Sequence, residues 1–114
     1  MATWTPWGMS DNNRKYAPGI NYYSTPSHGG FKVSSGKLSK MPDALRKLAE
    51  PREGWFEQDC AAAAVIVAFK EFFSADEFTE AIKTLKNWYP DTFEEYYNTK
   101  IPEGESYTRN IAKG

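Results

Sequence analysis

The sequence predicts an α+β fold: a small antiparallel β-meander of about three strands, followed by three to four helices packed on it, with a buried central helix. Three observations carry this expectation. Short β-prone runs separated by Pro-Gly and Gly-Gly turns fill the first third of the chain. Cys60 to Phe69 offers ten residues without a charge, four of them consecutive alanines, and a helix apolar on every side is a buried one. From Ser74 onward, apolar residues recur at helical spacing behind a capping signal. At 114 residues the chain is long enough for one core and too short for two domains. The expected organisation is a single domain over 1–114, β-rich over 1–35, helical over 42–98 and ending in a loosely held tail over 99–114.

In order, Met1 to Ser10 mixes proline and glycine with tryptophans and should be irregular or a short edge strand. Asn12 to Ala17 reads as extended and ends at Pro18-Gly19, a turn pair. Ile20 to Thr25 is a strand, broken by Pro26-Ser27-His28-Gly29-Gly30, and Phe31 to Ser34 alternates apolar and polar as a half-buried strand does. Pro42 to Leu48 suits a short helix, with Pro51 and Gly54 separating it from the next element. Gly54 to Phe73 is expected to be the central helix, with Trp55-Phe56-Glu57-Gln58-Asp59 as its polar, aromatic N-terminal lip. Ser74 and Glu77 form a capping box. Phe78, Ala81, Ile82, Leu85, Trp88 and Tyr89 then mark one face of a long helix that Pro90 stops. Phe93, Tyr96 and Tyr97 mark one more short helix.

Charge excludes some functions. The net charge is −1, which gives no broad field for nucleic acid, so direct nucleic-acid binding is not expected. Residues 1–50 hold seven Lys/Arg against three Asp/Glu, whereas residues 51–100 hold five against ten. A mildly basic sheet region should therefore stand beside an acidic helical one. A single cysteine cannot make an internal disulfide and fits a reducing cytoplasm. No basic-then-apolar leader opens the sequence, and ten apolar residues fall short of the roughly 20 that a bilayer span needs, so no membrane is expected.

Several groups could carry chemistry. Ser27-His28-Gly29-Gly30 holds the sole histidine beside two glycines that let the backbone approach a ligand or another chain; a plain β-turn explains the same residues. It lacks the phosphate-loop pattern. Glu57 and Asp59 suit the first turn of a helix, where the dipole favours acids without any function. Cys60 adjoins four alanines and reads as a buried thiol. His28, Glu57 and Asp59 could supply three metal ligands, but their spacing matches no metal motif, so no metal or other cofactor is expected. A cysteine hydrolase built on His28 and Cys60 requires Asp59 to converge with Cys60, and adjacent helical residues point about 100° apart. Both ideas require His28 to lie near Glu57. Trp4, Trp7, Tyr22, Tyr23, Phe31 and Trp55 could form a stacking platform, with core packing as the default.

Four segments together resemble a family of small uncharacterised domains found in bacteriophage and plasmid proteins: Trp4-Thr5-Pro6-Trp7-Gly8, Ala17-Pro18-Gly19-Ile20, Ser24 to Gly30, and Gly54-Trp55-Phe56-Glu57-Gln58-Asp59. The shared pattern is T-P-W-G, a strand ending in S/T-x-S-H-G-G, and G-W-[FY]-E-x-D opening an alanine-rich helix. It covers roughly residues 3–73. The resemblance implies an origin in mobile elements and a bacterial cytoplasm as the place of action. It draws the Ser27–Gly30 turn together with Trp55, Glu57 and Asp59 as a ligand- or partner-binding set, and it supplies no activity.

Small phage proteins often inhibit host defence. By that association the leading expectation is a non-enzymatic, anti-CRISPR-type inhibitor that binds a host immune protein. Asp76, Glu77, Glu80, Asp91, Glu94 and Glu95 would be its acidic interaction face. The alternatives are a binder of a small anionic ligand such as a signal nucleotide, and a small hydrolase using His28 with Glu57 or Cys60.

Overall fold

The structure, a computed structural model, describes residues 3–49 and 54–112. The sequence-expected break at Pro51 lies outside them. Two sheets form among the described residues. Strands β1 (Trp4–Thr5) and β2 (Gly8–Met9) make a tight hairpin. A four-stranded antiparallel sheet runs in the order β3 (Asn12–Ala17), β4 (Ile20–Ser24), β5 (Gly29–Val33), β6 (Trp55–Glu57). Pro18 and Gly19 connect β3 to β4 in a two-residue turn, with Ala17 opposite Ile20 and a register shift after Lys15. The α+β class and the meander are as the sequence predicts; the fourth strand is not in that expectation.

That strand corrects the reading of Trp55-Phe56-Glu57 as a helix lip. These residues pair with β5, Phe56 opposite Phe31 and Glu57 opposite Gly30. Their burial alternates with period two: Phe56 is fully buried between the half-buried Trp55 and Glu57. Alternation of this kind belongs to a strand with one face on the core. Gly54 makes the entry possible. Its φ of +86° is a left-handed value that L side chains rarely adopt, and its carbonyl accepts from Val33 N–H at 2.8 Å.

The central helix is consequently short. α3 spans Ala62–Ala68, seven residues, and ends at Phe69 in a 3-10 turn over Lys70–Phe72. Its burial is as expected: Ala62, Ala63, Ala64, Val65 and Val67 are all buried. Four small side chains in a row, Ala61 to Ala64, let its neighbours approach closely. Before it come α1 (Ser35–Leu38), capped by the Ser34 hydroxyl, and α2 (Asp43–Arg46) behind Pro42. After it, α4 (Ala75–Trp88) starts with the complete Ser74/Glu77 capping box, and α5 (Pro90–Tyr97) begins on proline. Phe56, Ile20, Phe31 and Val33 from the sheet meet Leu45 of α2, Val65 of α3, and Ala81 and Leu85 of α4 in one core. No helix among the described residues is long and apolar enough to cross a membrane.

The end of the chain differs from a loose tail. Tyr107–Ala112 forms α6, and Arg109 ties it to α5. One guanidinium nitrogen donates to Glu94 at 2.7 Å, and the other donates to Asp91 at 2.7 Å and Glu94 at 3.0 Å. Glu94 also accepts from Ile101 N–H at 2.8 Å, and the Tyr107 ring lies 5.2 Å from that of Trp88. Low apolar content does not prevent docking when one arginine satisfies two carboxylates.

Candidate binding site

The same alternation that buries Phe31 and Phe56 sends Tyr23, Gly30, Lys32, Trp55 and Glu57 to the other face of the sheet. His28, two residues before Gly30, shares that face. The β1–β2 hairpin folds over it and is held by Thr5, whose hydroxyl donates to Gly8 C=O at 2.6 Å and accepts from Trp7 N–H at 3.2 Å. Trp7 is thereby laid on Gly30, so closely that a Cβ there would stand 2.4 Å from the indole and 2.4 Å from Phe56 O. The glycine pair thus serves close approach within the chain itself. A Cβ on Gly29 would likewise meet Gln58 and Tyr22 at 2.9 Å.

An aromatic wall results. Trp7 packs edge-on against Trp55 at 5.7 Å and tilted against His28 at 6.3 Å, Tyr23 lies 5.8 Å from Trp55, and Lys32 Nζ stands 5.1 Å from the Trp55 ring centre. Core packing, the default expectation for the aromatic set, holds for Phe31 and Tyr22. It fails for Trp7, Tyr23 and Trp55, which are half-buried on the outer face, and for Trp4, which is 71% exposed.

His28 sits in a turn closed from both ends: Thr25 N–H and Oγ1–H donate to His28 C=O, and His28 N–H donates back to Thr25 Oγ1. Its Nδ1 is 3.0 Å from Ser27 C=O. A carbonyl can only accept, so Nδ1 carries the proton and Nε2 faces outward. Nε2 lies 3.7 Å from Glu57 Oε1 and 4.0 Å from Asp59 Oδ2. The proximity of His28 to Glu57 that the sequence-stated ideas require is therefore met, by strand pairing rather than by a helix end. The helix-dipole account of Glu57 and Asp59 does not survive, because α3 begins only at Ala62 and Glu57 lies on β6. Cys60 is half-buried rather than buried and does not belong to the His28–Glu57–Asp59 group.

Tyr22 OH donates to Gln58 Oε1 at 3.0 Å and steadies the turn that carries Asp59. Burial, then the neighbouring Tyr16, then the charge of Asp59 push the Tyr22 phenol above its ordinary value, which keeps it a donor.

A concavity starts at Asp59. A cavity of about 350 Å³ between α3 and α4 is floored by Ala62, Ala63, Ile66 and Ala81 and rimmed by Asp59, Asp76, Glu77 and Glu80. The six sequence-expected acids therefore do not form one face. Asp76, Glu77 and Glu80 border this groove, while Asp91 and Glu94 bind Arg109, and Glu95 pairs with Lys47 of α2 at 2.8 Å. Hydrogen bonds from Arg109 and then from Ile101 N–H hold the Glu94 carboxyl down to about 2. The groove floor has no local sequence signal, since it exists only where α3 meets α4.

A family model for a domain of unknown function, DUF7007, matches residues 1–113. The chain belongs to that family. The match takes in α4, α5 and α6 as well as the motif-bearing sheet. No curated protein matches the chain, and no solved structure does.

Proposed function

We propose that this DUF7007 domain is a non-enzymatic binding module whose acidic groove takes a basic segment of a partner protein. The observation that carries this reading is the pairing of an apolar floor with a carboxylate rim in the α3–α4 groove. Lysine and arginine have that same division: an apolar stem that gains from burial, and a cationic head that gains from carboxylates. Ala62, Ile66 and Ala81 suit the stem, and Asp59, Asp76, Glu77 and Glu80 suit the head. The volume falls at the lower end of ligand clefts, roughly 300–1,000 Å³. Charge of one sign on such a rim steers a partner and selects against acidic ones.

The mobile-element origin implied by the motif resemblance extends the reading: the partner is a host defence protein, and binding inhibits it in the bacterial cytoplasm. A small anionic ligand is the weaker reading, since His28 is flanked by two carboxylates that would repel it. The hydrolase reading has only the 3.7 Å approach of His28 to Glu57 in its support.

The test is a plaque assay in hosts carrying single defence systems, with the chain expressed in trans. It should restore phage plating against at least one system, and Asp76→Asn with Glu80→Lys should cut affinity for that system's purified effector by about tenfold or more. These positions are exposed or at the rim, so stability should change by only about 0.5 kcal/mol. Relief of no system, or a double variant as active as the parent, overturns the proposal.

A further inference from the structure

We infer that His28, Glu57 and Asp59 form a binding site for a divalent transition-metal ion of the zinc or manganese class. The one-nitrogen, two-oxygen donor set sits on the outer sheet face, independently of the α3–α4 groove except for Asp59. One ligand atom from each residue can be chosen so that all three lie within 4.8 Å of one another. Donors on a common ion with bonds of about 2.0–2.2 Å stand roughly 3–4 Å apart. Small side-chain rotations close that difference, and Asp59, 63% exposed on a turn, is free to make them.

Two features separate this trio from a chance meeting of surface charges. First, Ser27 C=O fixes the imidazole tautomer, leaving Nε2 as the atom presented to both carboxylates. A backbone carbonyl behind Nδ1 is the usual second partner of a metal-binding histidine. Nε2 then faces two carboxylate oxygens, at 3.7 and 4.0 Å, a convergence of donor atoms that a divalent cation can draw together. Second, two of the three donors come from rigid places: His28 from a turn closed by Thr25, and Glu57 from β6, where it pairs with Gly30 of β5. Rigid supports reduce the ordering cost of binding.

The donor types select the ion. One imidazole favours zinc, iron, cobalt or nickel over magnesium and calcium, and two carboxylates leave manganese within range. Three protein ligands leave at least one position open to solvent or to a side chain from a partner.

Calorimetric titration of the full chain with Zn²⁺, Mn²⁺, Mg²⁺ and Ca²⁺ at neutral pH tests this. The expected result is one Zn²⁺ per chain, with Mn²⁺ weaker and Mg²⁺ and Ca²⁺ weaker still. His28→Ala and Asp59→Asn should each weaken Zn²⁺ by at least the roughly 10–100-fold that loss of an outer-shell partner costs. Asp59 is mostly exposed, so its variant keeps the test valid if His28→Ala folds poorly. Cys60→Ala should leave the affinity unchanged. Equal Zn²⁺ affinity in parent and Asp59→Asn, loss of binding in Cys60→Ala, or Mg²⁺ binding as tight as Zn²⁺ would each overturn the inference.

Discussion

Carboxylates meet two different fates in this molecule. At the C-terminal end, Asp91 and Glu94 surround Arg109, and Glu94 receives a backbone N–H as well. Their charge is used up in docking α6. On the outer sheet face and around the α3–α4 groove, Glu57, Asp59, Asp76 and Glu80 make no ion pair with an arginine among the described residues; their neighbours are one histidine, the exposed Lys83 and apolar surface. Identical side chains thus hold the fold in one region and leave charge available for a ligand in the other. What differs is whether a planar, five-donor cation arrives from elsewhere in the chain.

The largest expected effect comes from breaking the scaffold under the available charges. Gly30→Ala drives a Cβ against Phe56 O and the Trp7 indole at 2.4 Å. It should cost about 3 kcal/mol, the upper end for overpacking, in denaturant unfolding. Gly36→Ala, with nothing within 4 Å of the new Cβ and ordinary backbone, should instead stabilise by about 0.4–1 kcal/mol. Equal effects at the two glycines would mean that the outer face is not close-packed.

An intermediate effect tests the paired region. Glu94 is held low, at about 2, so its contribution is complete above its unfolded value of about 4.3 and is lost as the pH falls through the folded one. Amide exchange in Tyr107–Ala112 should accelerate in acid between those limits. In Arg109→Ala it should be fast throughout and lose the acid step. Protection that is unchanged by the substitution would return these residues to the status of a tail.

The smallest effect links the two binding proposals. Asp59 belongs to both the cation cluster and the groove rim, so saturating Zn²⁺ should weaken a lysine-rich amphipathic peptide by about two- to fivefold, the worth of one exposed charge pair. Fluorescence anisotropy of the labelled peptide reads this directly. No change would make the two sites independent.

Much of the molecule is legible without coordinates because the signals are local. The Pro18-Gly19 turn, the Ser74/Glu77 box, the proline at the start of α5 and the apolar run of α3 act over a few residues. The grouping of His28 with Glu57 follows from motifs, although the reason assigned to it, a helix end, is replaced by a strand. Trp55-Phe56-Glu57 is too short for period two to stand out beside ten apolar residues, and only the edge of β5 makes it a strand.

By itself, then, the sequence determined the α+β class, the meander, the buried alanine helix and the residues that meet at His28. The tertiary structure decided the rest: which face of the sheet carries the cluster, which carboxylates an arginine consumes, and where α3 and α4 leave a groove. Those outcomes depend on partners 15 to 36 residues apart, as Arg109 is from Glu94 and Tyr22 from Gln58. No local propensity encodes such a meeting. It follows only once the core around Phe56 has fixed which surfaces face each other.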